Sequence, residues 1–173
     1  MSPANVKGTA GSMEWGTPRD LFERLNRWFA FDYDPFASHE NALLPTYSTI
    51  EGTFNCGLTT HRHPEGSPVL HTKISDADGL TEPWEGMRVF MNPPYSRGLI
   101  GRCVEKAYNE RENTEIIVAL IPFDPSLRWW NKYVEGHCIV LPLPKRLRFE
   151  GAPATGTHPC AVVIWMKALL FRP

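Results

Sequence analysis

The apolar positions of this chain switch between helical and extended spacing. Between residues 17 and 29 the large apolar side chains fall on one helical face, and Thr17 is the expected N-cap with Pro18 as the first helical residue. Ser96 is expected to cap a second helix. The side chains expected to be buried are Leu21, Phe22, Leu25, Trp28 and Phe29 in the first helix and Leu99, Ile100, Cys103, Val104, Ala107 and Tyr108 in the second.

Extended runs alternate with these helices. Residues 116–123 are apolar without alternation, as expected for a central strand covered on both faces, and residues 124–134 predict a short helix. Alternating strands and helices indicate right-handed crossovers and an α/β fold with a mostly parallel central sheet flanked by helices, in which the closing strands can pair antiparallel. The predicted strands are 29–34, 88–91, 116–123, 137–141, 147–149 and 160–166.

Length and composition predict a single compact domain. The chain has 173 residues, of which 42% are hydrophobic, and no apolar run approaches the roughly 18 residues needed to span a bilayer. The N-terminus lacks a signal-peptide pattern, so we expect a cytoplasmic protein with no membrane partner. Residues 1–12 are expected to be a mobile tail ahead of a domain at 13–173.

Residues 51–75 are polar and longer than an ordinary loop, and are interpreted as an insertion. They contain Cys56, His61, His63 and His71, which are types that bind zinc. Their spacing matches no standard metal signature, and histidines in a solvated loop are commoner. No metal site is therefore predicted.

The tetrapeptide Asn92-Pro93-Pro94-Tyr95 follows a predicted strand and carries the clearest candidate chemistry. Proline has no N–H for the sheet, so these residues should lie at the carboxyl end of that strand, where open α/β sheets bind ligands. The Asn92 amide oxygen and the Pro93 carbonyl are two acceptors, and Tyr95 adds a flat face. Such a site suits a planar group with an exocyclic NH2, because two acceptors make its nitrogen pyramidal and return its lone pair for attack.

This tetrapeptide resembles the catalytic motif of amino methyltransferases that use S-adenosylmethionine. The resemblance is to phage-type DNA N6-adenine methyltransferases, and it implies a Rossmann-like methyltransferase fold with Asn92, Pro93, Pro94 and Tyr95 as catalytic residues. It implies DNA as the substrate, in the host cytoplasm if the protein is phage-encoded. Further segments that fit the family in order are Trp15-Gly16-Thr17-Pro18 with Leu21-Phe22, Phe31-Asp32-Tyr33-Asp34, Asp78-Gly79-Leu80 with Trp84, Leu120-Ile121-Pro122, Trp129-Trp130 and Leu147-Arg148-Phe149.

The resemblance also implies a cofactor site. The segment of Trp15, Thr17 and Pro18 would lie by the methionine end of S-adenosylmethionine, although capping a helix is an alternative role for it. Asp34 would bind the ribose hydroxyls and Asp78 would lie against the adenine, although each could instead form a turn. One departure is that residues 34–38 contain no glycine, whereas methyltransferases usually have a glycine-rich loop there.

Candidate DNA contacts are local, because the net charge of −1 gives no overall attraction to nucleic acid. Lys145, Arg146 and Arg148 form the densest basic run, and Arg97 follows the catalytic turn. A solvated strand end is the alternative interpretation of the run. A chain of this length has no room for a separate recognition domain, so specificity must come from loops or from a second copy in a homo-oligomer.

Three other functions stay open at this point. The same four residues serve protein-glutamine methyltransferases, but these would be expected to keep a glycine-rich cofactor loop and a helical N-terminal domain. Cytosine N4 methylation is chemically close, although a serine would be more usual at position 92. A catalytically inactive nucleic-acid-binding module is the third alternative, against which the intact Asn92 and Tyr95 argue.

Overall fold

The computed structural model describes residues 15–38, 41–50, 60–62, 68–70 and 78–167, with the backbone alone for 60–62 and 68–70. The predicted tail, most of the 51–75 segment, and Cys56, His63 and His71 lie outside these residues, as does the side chain of His61. The regular elements are α1 Arg19–Phe29, β1 Thr60–Arg62, β2 Pro68–Leu70, β3 Arg88–Met91, α2 Leu99–Glu110, β4 Ile116–Pro122, α3 Arg128–Tyr133, β5 Ile139–Pro142 and β6 Cys160–Met166.

The central sheet has four strands in the order β3-β4-β6-β5, and it is mixed. β3 and β4 pair parallel, whereas β6 pairs antiparallel with both β4 and β5. The β3–β4 pair is parallel as predicted, and the β5–β6 pair has the antiparallel arrangement expected for closing strands. The β4–β6 pair is antiparallel as well, so the sheet is mixed and the prediction of a mostly parallel sheet is wrong for these four strands. The reason lies in the connections between strands. A parallel pair needs a crossover such as a helix. The chain has α3 between β4 and β5, but only a loop joins β5 to β6, so β6 runs in the opposite direction.

Beyond β3 the sheet continues as single parallel bridges instead of regular strands. Tyr33 bridges Val89 in β3, Asp34 bridges Tyr47, and Thr49 bridges Asp78. The strand predicted at 29–34 is thus reduced to its last two residues, because α1 extends through Phe29. The four strands and these bridges form one small mixed α/β domain.

The segment 147–149 does not form the strand predicted for it. Its neighbour Glu150 makes an isolated antiparallel bridge with Gly16. The Leu147 carbonyl accepts a hydrogen bond from Gly156 N at 2.8 Å, so the backbone here closes a loop instead of joining the sheet.

Helices cover both faces of the sheet. On one face α2 and α3 pack over Ile117, Ala119 and Ile121 of β4, and on the other α1 packs over Ile116, Val118 and Leu120. β4 is therefore buried on both sides, which confirms the interpretation of its unbroken apolar run. Among the described helices the longest has 12 residues, and none could cross a bilayer.

The predicted helices are present, but their first residues and one predicted burial are wrong. α1 begins at Arg19 with Pro18 as the N-cap, so Thr17 is not the cap. α2 has Gly98 as its N-cap, and Ser96 contributes its carbonyl to Leu99 N and Ile100 N instead of a side-chain cap.

Trp28 is 83% exposed, although the helical spacing places it near Leu21, which is buried. The face of α1 that the sheet covers carries Phe22, Leu25 and Phe29. Leu21 and Trp28 lie on the flank of that face, one near each end of the helix. That flank is covered in the first turn of the helix but not in the last.

Candidate active site

The turn 92–95 leaves the sheet directly after β3, at the carboxyl end that β3 shares with the parallel β4. Tyr33 lies on the other side of β3, because Phe90 N donates to its carbonyl at 3.0 Å. Asn92 thus projects at the sheet edge beside the end of segment 33–34. A small cavity at this edge is lined by Trp15, Phe36, Asn41, Asn92, Pro93, Pro94, Tyr95 and Phe149.

The orientation of the Asn92 amide follows from one hydrogen bond. Asn92 Nδ2 donates to the backbone carbonyl of Trp15 at 3.0 Å. A carbonyl can only accept, so the nitrogen of the amide must face Trp15 and Oδ1 must face away from it. Within the described part of the chain no group donates to Asn92 Oδ1 or to the buried Pro93 carbonyl. Two hydrogen-bond acceptors are left at this turn.

Tyr95 is held from both ends of its side chain. Its hydroxyl donates to the Leu120 carbonyl in β4 at 3.1 Å and lies 4.0 Å from the Cys160 sulfur. Its ring meets Phe149 edge-on, with the ring centres 5.8 Å apart. Burial, and secondarily the Cys160 thiol, raises the pKa of the Tyr95 hydroxyl well above its usual value, so the group stays a neutral donor.

A groove of about 860 Å³ adjoins the turn, and it is large enough for a nucleotide-sized ligand. Its walls come from the residues after β4, the start of α3, the residues after Tyr95 and the loop before β6. They are mostly apolar, with the basic side chains Arg97, Arg128 and His158 among them. Asp124 also lines it, and hydrogen bonds from Ser126 to that carboxylate hold the pKa of Asp124 below its usual value.

Arg128 and His158 are not among the four DNA contacts predicted from the sequence. Arg128 follows the carboxyl end of β4, and His158 precedes β6. The amino end of an antiparallel strand lies at the same sheet edge as the carboxyl ends of its parallel neighbours. Only recognition of β6 as the reversed strand would have placed His158 at this edge.

The basic run is exposed, and it lies outside the groove. Lys145, Arg146 and Arg148 do not line it, and no described acidic side chain forms an ion pair with them. Phe149, next in sequence, does line the groove. Of the four predicted DNA contacts, the fold therefore brings only Arg97 into the groove and leaves the other three on the adjoining segment.

Asp34 lies at the end of the short segment beside β3, and it is only 5% exposed. Its Oδ1 accepts a hydrogen bond from Phe36 N at 3.0 Å, so it does form the turn that was the alternative interpretation. Burial, partly offset by that hydrogen bond, raises the pKa of Asp34 to about 7. Among the described residues, no cation and no second donor satisfies this carboxylate.

Asp78 belongs to a second acidic turn in contact with the first. Its Oδ1 accepts from Leu80 N at 2.9 Å, which again is the turn geometry. A Cβ on Gly79 would lie 1.9 Å from the Pro35 carbonyl oxygen, so only glycine permits this approach. The fold thus brings Asp34-Pro35 and Asp78-Gly79 together, although they are far apart in sequence.

The match to a family model decides which proteins this one is related to. A model of DNA N-6-adenine-methyltransferases (Dam) matches residues 51–166, about two thirds of the chain. The chain belongs to the Dam family. A comparison with curated proteins finds no match.

Membership in the Dam family establishes the reaction. The protein is an enzyme that transfers a methyl group from S-adenosylmethionine to the N6 amino group of adenine in DNA. The Dam match includes the turn 92–95, Arg97 and the basic run, but it excludes Trp15, Thr17, Pro18 and Asp34. Any cofactor role for those four residues therefore depends on the geometry and on the resemblance.

Proposed function

We propose that Asn92, Pro93 and Tyr95 perform this DNA adenine N6-methylation on a base flipped out of the helix. The observation that carries the proposal is the hydrogen bond from Asn92 Nδ2 to the Trp15 carbonyl. Because that bond fixes the amide, Asn92 Oδ1 and the Pro93 carbonyl remain to accept the two hydrogens of an adenine amino group. These acceptors stabilise the positive charge that develops on the attacking nitrogen, and they do so more in the transition state than in the ground state.

The order of the sheet supports a Rossmann-like methyltransferase fold. Counting the single bridges, the segments lie in space as 78, 47–49, 33–34, β3 and β4, which is the order 3-2-1-4-5 of a doubly wound fold. The direction of winding reverses between segment 33–34 and β3. Ligands bind at such a reversal, outside the carboxyl ends of the strands, and Asp34 and Asn92 lie on its two sides.

The acidic residues of this crevice fit S-adenosylmethionine. A buried carboxylate with one donor among the described residues suits ribose hydroxyls, so Asp34 would hold the ribose. Asp78, which the contact between Gly79 and Pro35 brings near Asp34, would accept from the adenine amino group of the cofactor. The buried Thr17, with Trp15 and Pro18, would lie by the methionine end of the cofactor. When bound, the cofactor supplies an electrophilic methyl group on sulfur.

The groove supports the proposal that the target adenine leaves the duplex. A stacked base cannot present its amino group to acceptors at a strand end, so it must be flipped out at a cost of a few kcal/mol. Tyr95 and Phe149 line both the small cavity and the groove, and so provide aromatic surface where the two meet. Arg97 and Arg128 line the groove and would neutralise the phosphates beside the flipped nucleotide.

A methylation assay tests the function and its competitors together. The enzyme is incubated with duplex DNA, bacterial protein extract and S-adenosylmethionine labelled in the methyl group, and the digests are separated by mass spectrometry. We expect the label on N6-methyladenine. Label on N4-methylcytosine or on protein glutamine, with none on adenine, would contradict the proposal. The cytoplasmic setting, the phage source and the homo-oligomer stay predictions.

Replacing Tyr95 with alanine is expected to weaken capture of the flipped base by about 1–3 kcal/mol, the usual contribution of base–aromatic stacking. Tyr95→Phe keeps the ring and should keep most of the activity. It loses the bond from the hydroxyl to the Leu120 carbonyl, so its free energy of unfolding should fall by about 1 kcal/mol. Binding of a mismatched duplex reports on stacking, an abasic duplex is the reference without a base to stack, and denaturant unfolding measures stability. Equal binding of the mismatched duplex by the alanine and phenylalanine variants would argue against stacking.

Removing the basic side chains is expected to weaken DNA binding for all sequences alike. Arg97→Ala, Arg128→Ala, Lys145→Ala, Arg146→Ala and Arg148→Ala should each reduce the slope of log affinity against log salt by about 0.9 if one phosphate contact is lost. Fluorescence anisotropy of a labelled duplex at several salt concentrations measures both quantities. Lys167→Ala is the matched control, because Lys167 follows β6 at the opposite sheet edge. An unchanged slope for the three run variants would make the run a solvated surface.

A further inference from the structure

The carbonyl that orients Asn92 belongs to a segment with little structure of its own. Residues 15–17 precede α1, and their one sheet-like contact with the described residues is the bridge between Gly16 and Glu150. Both hydrogen bonds of that bridge are made: Gly16 N donates to the Glu150 carbonyl at 3.2 Å, and Glu150 N donates to the Gly16 carbonyl at 2.8 Å. The position of the Trp15 carbonyl therefore depends on Glu150.

The side chain of Glu150 adds a third hydrogen bond to the same segment. Its Oε1 accepts from Arg19 N, the first residue of α1, at 3.1 Å. The N-cap of α1 is Pro18, which has no side-chain acceptor, so Glu150 supplies the cap from a distant part of the chain. A carboxylate at this end also interacts favourably with the helix dipole. Packing is close here, since a Cβ on Gly16 would lie 3.2 Å from the Glu150 Cβ.

Glu150 lies one residue beyond the predicted DNA-binding run, with Phe149 between them. Arg148 is two residues before it, and Phe149 contacts the Tyr95 ring. Glu150, the 15–17 segment and the Asn92 amide thus form one continuous series of contacts, and the basic run is joined to it through Phe149 in the chain. A shift of about 1 Å in a positioning group can cost about 100-fold in rate, so the loss of one fixing bond in this series should be measurable.

We propose that Glu150 is a positioning residue for methyl transfer. Its carboxylate accepts from the first residue of α1, and its backbone forms the bridge to Gly16. Together these bonds hold the Trp15 carbonyl in the position where it fixes the Asn92 amide. The inference rests on the proposed role of Asn92. It assigns Glu150 no contact with DNA or with the cofactor.

The first test compares three variants. Glu150→Ala is expected to lower turnover about 10-fold at saturating DNA and S-adenosylmethionine, so that weaker cofactor binding through residues 15–17 does not contribute to the loss. Glu150→Gln keeps an oxygen that can accept from Arg19 N, so it should restore most of the rate. The control is Glu115→Ala, which removes a carboxylate that accepts from Arg88 Nη1 at 2.9 Å just before β4, at the opposite sheet edge. It should leave turnover unchanged. Thermal unfolding confirms that each variant is folded at the assay temperature.

The second test is a double-mutant cycle with Asn92→Ala. If Glu150 acts only through Asn92, then Glu150→Ala should cause no further loss of turnover in the Asn92→Ala background. An equal loss in both backgrounds, or no rescue by Glu150→Gln, would overturn the proposal. A near-normal rate for Asn92→Ala alone would instead overturn the catalytic role of Asn92, so the two failures are distinguishable.

Discussion

Asn92→Ala is expected to lower the single-turnover rate of methyl transfer by about 100-fold or more while S-adenosylmethionine binds almost unchanged. The substitution removes Oδ1, an acceptor whose interaction with the amino group strengthens as the nitrogen becomes positive. Rapid quenching of one turnover on a duplex with a single target adenine measures the rate, and calorimetry measures the cofactor affinity. A rate within a few-fold of the unmodified enzyme would rule out the acceptor mechanism.

Asn92→Asp separates the presence of an acceptor from its orientation. The aspartate keeps an acceptor oxygen but would face the Trp15 carbonyl with a second oxygen at the site of a 3.0 Å hydrogen bond. Because two acceptors repel, the side chain should rotate away, and the rate should also fall. Asn109→Ala is the matched control, since Asn109 is exposed on α2 away from the turn. Full activity of Asn92→Asp would show that the Trp15 contact is unimportant.

The elements that local patterns specify were predictable from the sequence. The apolar run of β4 needs cover on two faces whatever its neighbours, and the two prolines after Asn92 must end β3. The short paired segment beside β3 was less predictable. Tyr33 and Asp34 are in the sheet only because Val89 and Tyr47 are there to pair with them, and such pairing depends on distant residues.

The direction of β6 and the fate of 147–149 depend on the connection between them. No periodicity reveals that β5 is joined to β6 without a helix. This connection places the 152–159 loop at the sheet edge that carries the turn 92–95. The Glu150 contacts were invisible for the same reason: a glutamate that caps a helix 131 residues away in sequence leaves no local signal. Trp28 illustrates a further limit, because helical spacing identifies a face but not how far along the helix that face is covered.

Asp34→Asn is expected to raise the stability of the enzyme without ligand and to weaken cofactor binding. Burial raises the pKa of Asp34 from 3.8 to about 7 in the folded protein, so folding favours the protonated form. The folded state is therefore penalised increasingly as the pH rises from about 4 to about 7, and the penalty is complete above that range. An asparagine retains the acceptor for Phe36 N and carries no charge. The melting temperature of the variant should exceed that of the parent by on the order of 5 °C at pH 8, with little difference at pH 4.

The same carboxylate should bind S-adenosylmethionine better when it is ionised, because ribose hydroxyls donate to it. The affinity of the parent enzyme is therefore expected to rise as the pH increases through 7, whereas that of Asp34→Asn should stay flat. At pH 8 the variant should bind about 10-fold or more weakly, the value of a hydrogen bond to a charged group. Calorimetry across pH 6–8 measures both trends. A variant that is more stable but binds S-adenosylmethionine unchanged would make Asp34 a turn residue only. A carboxylate that is kept buried for its ligand should instead give a variant with higher stability and lower cofactor affinity.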